Sequence, residues 1–254
     1  MNILEYAKMK KILGGGGGGG ALVSDSTTPS KDLTIADFKE IGALSFPNAT
    51  EIDESAFSGC DSLTSVDLPK VTHIGKDAFY ECRRLKKVNA PNVTVIEDGA
   101  FSACFYVTEM NLPLLEYVGA AAFEACGDIT KINLPNVKTI EEAAFNICHS
   151  LTKIDLPKVS AIGGMAFSYC DNLQAVIIRN TETVCSIDVG AFVIEFDEET
   201  GSIPTVLNDK FFIPASMYEE YRAVYEPAFA EQGFDGYFDV VFHKIEDYPE
   251  ICGG

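Results

Sequence analysis

Cys148 and His149 lie side by side in "LPNVKTIEEAAFNICHSLTKID", residues 134 to 155. A thiol beside an imidazole is the pairing from which cysteine nucleophiles are built. Such a thiol acts as the thiolate, which needs partial exposure and nearby positive charge. Eight cysteines also raise two other chemistries, a disulfide framework and a zinc site. The remaining chemistry-bearing residues are sparse. The three histidines, His73, His149 and His243, fall in no metal-ligand spacing such as HExxH. The acid runs at 141–142 and 197–199 read as solvated carboxylates, and the glycines at 14–20 lack the Gly-Lys-Ser/Thr that a phosphate-binding loop requires.

The elements that must position Cys148 emerge when the stretch is slid by 22 residues. Cys60, Cys82, Cys104, Cys126, Cys148 and Cys170 are each 22 apart, as are Phe57, Phe79, Phe101, Phe123, Phe145 and Phe167. Pro47 to Pro157 and Ile52 to Ile162 keep the same step. One coil reads LxxVxLPxVxxIxxxAFxxC, with fixed apolar letters facing inward and variable letters facing water. "LTSVDLP" at 63–69 alternates apolar and polar residues and stops at proline, which suits a short strand. "VTHI" at 71–74 supplies a second extended piece, and "KDAFYEC" reads as a helical turn. No such coil buries its own apolar face, so coils must stack, with parallel strands roughly 4.8 Å apart.

In this register the six cysteines form an inward ladder. A buried free thiol is a small hydrophobe and a weak donor to the neighbouring turn. Parallel side chains in register point the same way, which does not suit disulfides, and thiols in a line do not close a tetrahedron around zinc. His149, next to an inward cysteine, then faces out. Catalysis, metal and cofactor chemistry are not expected.

The coils resemble the BspA-like (Treponema-type) class of leucine-rich repeats, whose Ile, Ala-Phe, Cys, Leu and Leu-Pro signature is met in "VTHIGKDAFYECRRLKKVNAP". The resemblance covers residues 33–214. It implies a right-handed leucine-rich-repeat solenoid of parallel β-strands and short helical turns, used for binding or adhesion at bacterial surfaces, with no catalytic residues to carry over.

Around the repeats, the sequence divides into a short amphipathic helix at 1–13, a Gly-rich flexible linker at 14–32, the solenoid at 33–214 and a helix/strand cap at 215–254. In the cap, Ser216 and Glu219 read as a capping box, Pro227 as an interruption of the helix, and "YFDVVFHKI" as a last strand. "IEFDEETGS" reads as an acidic loop.

For binding, the outward strand positions Asp67, Asn89, Asn111, Asn133, Asp155 and Ile177 offer polar groups at a regular pitch that suits a protein or glycan ligand; alternatively their amides bond one another. Phe105 and Tyr106 occupy turn positions that are polar or glycine in other coils, and Tyr117 is a further out-of-pattern aromatic; exposed aromatics are common interface anchors.

With 19 basic and 38 acidic residues the net charge is −19, which disfavours nucleic acid and anionic lipid. "MNILEYAKMKKIL" is too short to span a bilayer and lacks a secretion cleavage site, so neither direct membrane insertion nor a Sec signal is expected. Three settings stay open: an adhesion module at a cell surface, a prophage tail-associated protein in which residues 1–13 dock in an assembly, and an intracellular scaffold. The leader with its seven glycines resembles leaders of prophage-encoded proteins.

Overall fold

The computed structural model describes residues 22–23, 42–197, 202–206, 211–231 and 238–253. The helix expected at 1–13 and most of the linker lie outside the described residues. Strands are numbered in chain order. One parallel sheet joins β1 (Leu22–Val23), β2 (Ala43–Ser45), β4 (Ser65–Asp67), β6 (Lys87–Asn89) and β8 (Glu109–Asn111). It is continued on the same side of the coils by β11 (Lys153–Leu156), β13 (Ala175–Ile178), β17 (Phe211–Ile213) and β18 (Phe242–Lys244). A second, seven-stranded parallel sheet runs without interruption through β3 (Glu51–Ile52), β5 (His73–Ile74), β7 (Val95–Ile96), β9 (Tyr117–Val118), β10 (Thr139–Ile140), β12 (Ala161–Ile162) and β14 (Ser186–Ile187). The register is 22 residues per rung as far as β12.

One short rung falls within the stretch read as linker. Leu22 pairs with Leu44 and Val23 with Ser45, parallel and in register. The signal was the same 22-residue step, from Leu22 to Leu44 to Val66, carried past a polar stretch.

Between the two sheets the chain returns through turns rather than a regular helix. Ala56, Ser58 and Cys60 donate back three residues, while Ser55, Phe57 and Gly59 donate across to Lys76, Ala78 and Tyr80 of the next coil at 2.7–2.8 Å. This alternation places two residues per coil in the left-handed region. Ten of those residues are not glycine, including Ala125 and Ile147 at φ 56° and 61°. Left-handed backbone costs an L-residue roughly 1–2 kcal/mol, and the inter-coil ladder offsets that cost.

The core is a stack of like residues. The rings of Phe57, Phe79, Phe101, Phe123, Phe145 and Phe167 lie 5.1–5.7 Å apart and within 17° of parallel. A two-coil alternation is superimposed on the edge of the second sheet. Asp53, Glu97 and Glu141 alternate with Gly75, Gly119 and Gly163. The glycines pass against the backbone of the acidic rung before them: a Cβ on Gly119 would meet Asp98 N at 2.6 Å, and one on Gly163 would meet Glu142 N at 2.5 Å.

The far end is closed by α1 (Tyr218–Glu231), α2 (Phe238–Val241) and α3 (Pro249–Cys252). Helix α1 runs through Pro227 instead of stopping there. Pro227 lies on the exposed side in the C-terminal half of the helix, where the backbone bond it cannot make faces solvent. The expected last strand is helical over 238–241 and extended over 242–244, and the expected acidic loop contributes to a hairpin of β15 (Val193–Asp197) and β16 (Ser202–Val206). Tyr221 and Tyr225 of α1 terminate the second sheet: Cys185 N donates to Tyr221 Oη at 2.9 Å, and Ile187 N donates to Tyr225 Oη at 2.6 Å. Tyr225 in turn donates to Cys185 O at 2.7 Å. Two phenols thus do for the edge strand what another coil would have done.

Candidate functional site

The thiols come first, because they carried the chemical question. All eight cysteines are free and buried. From Cys82 to Cys170 each Sγ donates to the carbonyl of the phenylalanine one coil back, at 3.1–3.3 Å; for Cys148 the acceptor is Phe123 O at 3.2 Å. Burial pushes Cys60 from an ordinary 9.0 to about 12, with Asp61 adding to the rise. Cys148 is held well above its ordinary value by a hydrogen bond with Cys170 and by burial. These thiols are poor thiolates. His149, exposed, pairs instead with Asp171 at 2.7 Å. Among the described residues no three His, Cys, Asp or Glu side chains gather as metal ligands, and no helix is long and apolar enough to cross a membrane.

Among the described residues, a groove of about 1120 Å³ runs along the outward face of β2, β4, β6 and β8, continued by residues 131–133, Lys153 and Asp155. Asn89, Asn111 and Asn133 all line it. Their polar ladder is partly closed. Ser45 donates to Asp67, Asn89 Nδ2 donates to Asp67 Oδ1 at 2.6 Å, and Asn111 Nδ2 donates to Asn89 Oδ1 at 2.8 Å. The ladder stops there, and Asn133 has no side-chain bond among the described residues. Asp155 is engaged by the Arg179 guanidinium at 2.8–3.0 Å.

The backbone ladder lapses at the same place. Thr108 N bonds Lys86 O and Thr152 N bonds Thr130 O, but no described bond ties residues 130–133 to 108–112. Residue 131 makes an isolated bridge to Lys153 only. The second sheet and the turn ladder continue unbroken through these coils, with Phe123 N bonded to Ala144 O at 2.8 Å. Met110, at the inward position of β8, is left partly exposed, whereas Val66 and Val88 before it are 2% exposed and Ile132 after it 7%.

One end of the groove is shut by the tail. Lys153 Nζ donates to Ile251 O and the Arg179 guanidinium to Cys252 O, each at 2.6 Å. Ala175 and Ile177 are therefore buried beneath Ile245, Tyr248 and Ile251. Ile177, taken from sequence as an outward groove position, is corrected to a covered one: its apolar side chain marks where the tail lies.

Phe105 and Tyr106 are 41% and 53% exposed on the turn that leads into Thr108 of the groove. Tyr117 is apart from them. It sits half-buried in β9 of the second sheet between Val95 and Thr139, and burial, then Glu141, raises its phenol. Comparison of coils by position also marks a residue passed over in the sequence, Leu114, 44% exposed. Asparagine and lysine alternate at its position: Lys70 Nζ donates to Asn48 Oδ1 at 3.1 Å and Lys158 Nζ to Asn136 Oδ1 at 2.6 Å. Leu114 stands next to Asn92 where the alternation calls for lysine.

The profile described as the BspA type leucine rich repeat region matches in six copies over residues 36–146 and 116–195, more than half of the chain. No curated protein matches. Among solved structures, a leucine-rich repeat protein from Bacteroides ovatus is 32% identical, with TM-score 0.50 over 55% of this chain and 38% of that one. A leucine rich cell surface protein from Faecalibacterium prausnitzii is 23% identical, with TM-score 0.39 over 62% of this chain and 52% of that one. The pneumococcal vaccine antigen PcpA is 19% identical, with TM-score 0.34 over 72% of this chain and 60% of that one. The chain thus spans less than two thirds of each of these relatives. Twenty-two-residue coils, stacked phenylalanines and the family match agree, and the chain belongs to the BspA-type leucine-rich repeat family.

Proposed function

We propose that the chain is a noncatalytic recognition module whose strand-face groove receives an extended segment of a protein ligand at a bacterial surface. The observation that carries this reading is the groove itself, a continuous concavity along parallel rungs with donors and acceptors at strand pitch, in a molecule whose cysteines are buried and whose His73 and His149 pair with carboxylates. Of the two ligand classes the sequence left open, protein is favoured. Sugar rings are commonly held against aromatic faces, and the residues lining the groove include no aromatic. A surface setting rests on the resemblance to a relative described as a cell surface protein.

Asn111→Arg tests the reading by placing a long cation across the groove. The full chain is used to select binders from a phage-displayed random peptide library. The variant is expected to lose the selected peptides, while Tyr117→Arg on the second sheet keeps them. Equal binding by wild type and Asn111→Arg, with buried thiols still protected, contradicts the groove as the binding face.

A further inference from the structure

The departures from the repeat are not scattered. They fall in the coil between Cys104 and Cys126. Neighbouring coils have Asp61-Ser62, Arg83-Arg84, Gly127-Asp128 and His149-Ser150 where this one has Phe105-Tyr106. They have Val66, Val88, Ile132 and Ile154 where it has Met110, and Lys70 and Lys158 where it has Leu114. Three of the seven large hydrophobic residues exposed among the described residues, Phe105, Tyr106 and Leu114, thus lie within ten residues of one coil. The strand ladder breaks between this coil and the next. Packing does not call for Phe105, Tyr106 or Leu114, because neighbouring coils fold through the same turns with polar residues or glycine there.

Their placement spans the groove. Phe105 and Tyr106 precede β8 and Leu114 follows it, so apolar contacts stand at both rims with Met110 in the floor between. Tyr106 and Leu114 lie in the turns on either side of the three-residue β8, so even a fully extended path between them would span about 26 Å at most. The floor beside them has charge to offer. Lys87 pairs with Glu109 at 2.8 Å and Lys138 with Glu116 at 2.7 Å, but Lys131, exposed in the groove beside the free Asn133 amide, makes no ion pair among the described residues. In a chain of net charge −19, a cation left unpaired on a binding surface complements a carboxylate.

We infer that this coil is the recognition hot spot, and that it takes an extended peptide of about eight residues with a carboxylate flanked by apolar side chains. The ligand lies across the groove, parallel to β8, with its apolar ends against Phe105-Tyr106 and Leu114 and its acid at Lys131. This rests on the groove reading above and goes further by naming the coil and the ligand chemistry.

A synthetic array of ten-residue peptides tests it, with Glu, Gln or Lys at the centre and Leu, Phe or Ser near both ends. The full-length wild type is compared with Leu114→Lys, Lys131→Glu and Asn111→Arg. Wild type is expected to prefer Glu centres with apolar ends. Leu114→Lys should bind those peptides roughly tenfold or more weakly. Its unfolding midpoint should hold or rise, because the new ammonium finds Asn92 Oδ1 as Lys70 finds Asn48. That combination separates a binding role from a packing one. Lys131→Glu should shift the preference from Glu to Lys centres. If Asn111→Arg abolishes peptide binding while Leu114→Lys and Lys131→Glu leave it unchanged, the hot spot is wrong and the groove stands. Binding without preference for the central charge removes the carboxylate from the proposal. If no peptide is bound, both the hot spot and the groove reading fall.

Discussion

At the scale of the residue, the same six cysteines that suggested a nucleophile are the clearest mark of a structural thiol. The inner four lie between like residues, and from Cys82 to Cys170 each donates a weak bond to a phenylalanine carbonyl one coil back. A thiol-specific reagent should therefore label the native chain slowly at all eight cysteines and rapidly in denaturant. Fast native labelling of several would contradict the ladder. The raised thiols also set a pH dependence. The folded Cys60 keeps its proton to about 12, while the unfolded thiol ionises from its ordinary 9.0, so the unfolded chain binds fewer protons above that point. The thiol contribution is fully present below pH 9 and is lost as pH rises toward 12. The midpoint of chemical unfolding should fall steeply between those limits, and less steeply after replacement of ladder cysteines by alanine. Cys148 shows how much the sequence discloses at this scale: periodicity alone fixed its inward direction. Lys131 shows what stays hidden, since a lysine without an ion pair is visible only once the neighbouring acids have been placed.

At the scale of the element, the coil is a compromise between local backbone preference and stacking. The left-handed positions are occupied by alanine, isoleucine and even methionine because the N–H groups there are needed by the next coil. Ala125→Gly should stabilise the fold by up to about 1 kcal/mol, the relief of left-handed strain exceeding the entropy lost by glycine. Gly119→Ala should do the reverse, by several kcal/mol in order of magnitude, since the new Cβ would meet backbone atoms of the coil beneath at 2.6 Å. Thermal unfolding of both variants checks the pair. At the cap, Tyr225→Phe leaves Ile187 N and Cys185 O of a buried edge without their partner and should cost about 1–3 kcal/mol. Strands and their register were legible because apolar alternation and the 22-residue step reinforce one another. The cap was legible only in outline. Pro227 and "YFDVVF" have no repeat to anchor them, and tertiary contacts decide that α1 passes through proline and that 238–241 coils before it extends.

At the scale of the molecule, the structural unit is the doublet of coils. Acid and glycine alternate at 53, 75, 97, 119, 141 and 163, so coils are not interchangeable one at a time. Deleting 44 residues, one doublet, should shorten the solenoid and preserve its stacking. Deleting 22 brings two acidic or two glycine rungs together and should lower the unfolding midpoint more, although fewer residues are lost. Comparison of the two deletions by urea unfolding tests this directly. The doublet escapes a search for a single period because the fixed apolar letters repeat at 22 and mask the longer alternation. Within the doublets, one coil breaks its own pattern on the side that forms the groove, and the account places ligand recognition there. Hydrogen–deuterium exchange of the full chain, with and without the tightest peptide from the array, tests that claim most directly. Slowed exchange is predicted at 105–114 and 130–133, with residues 117–118 and 139–140 of the second sheet unchanged. Protection confined to the turn face around 121–125 and 143–147, with the groove unaffected, would contradict it.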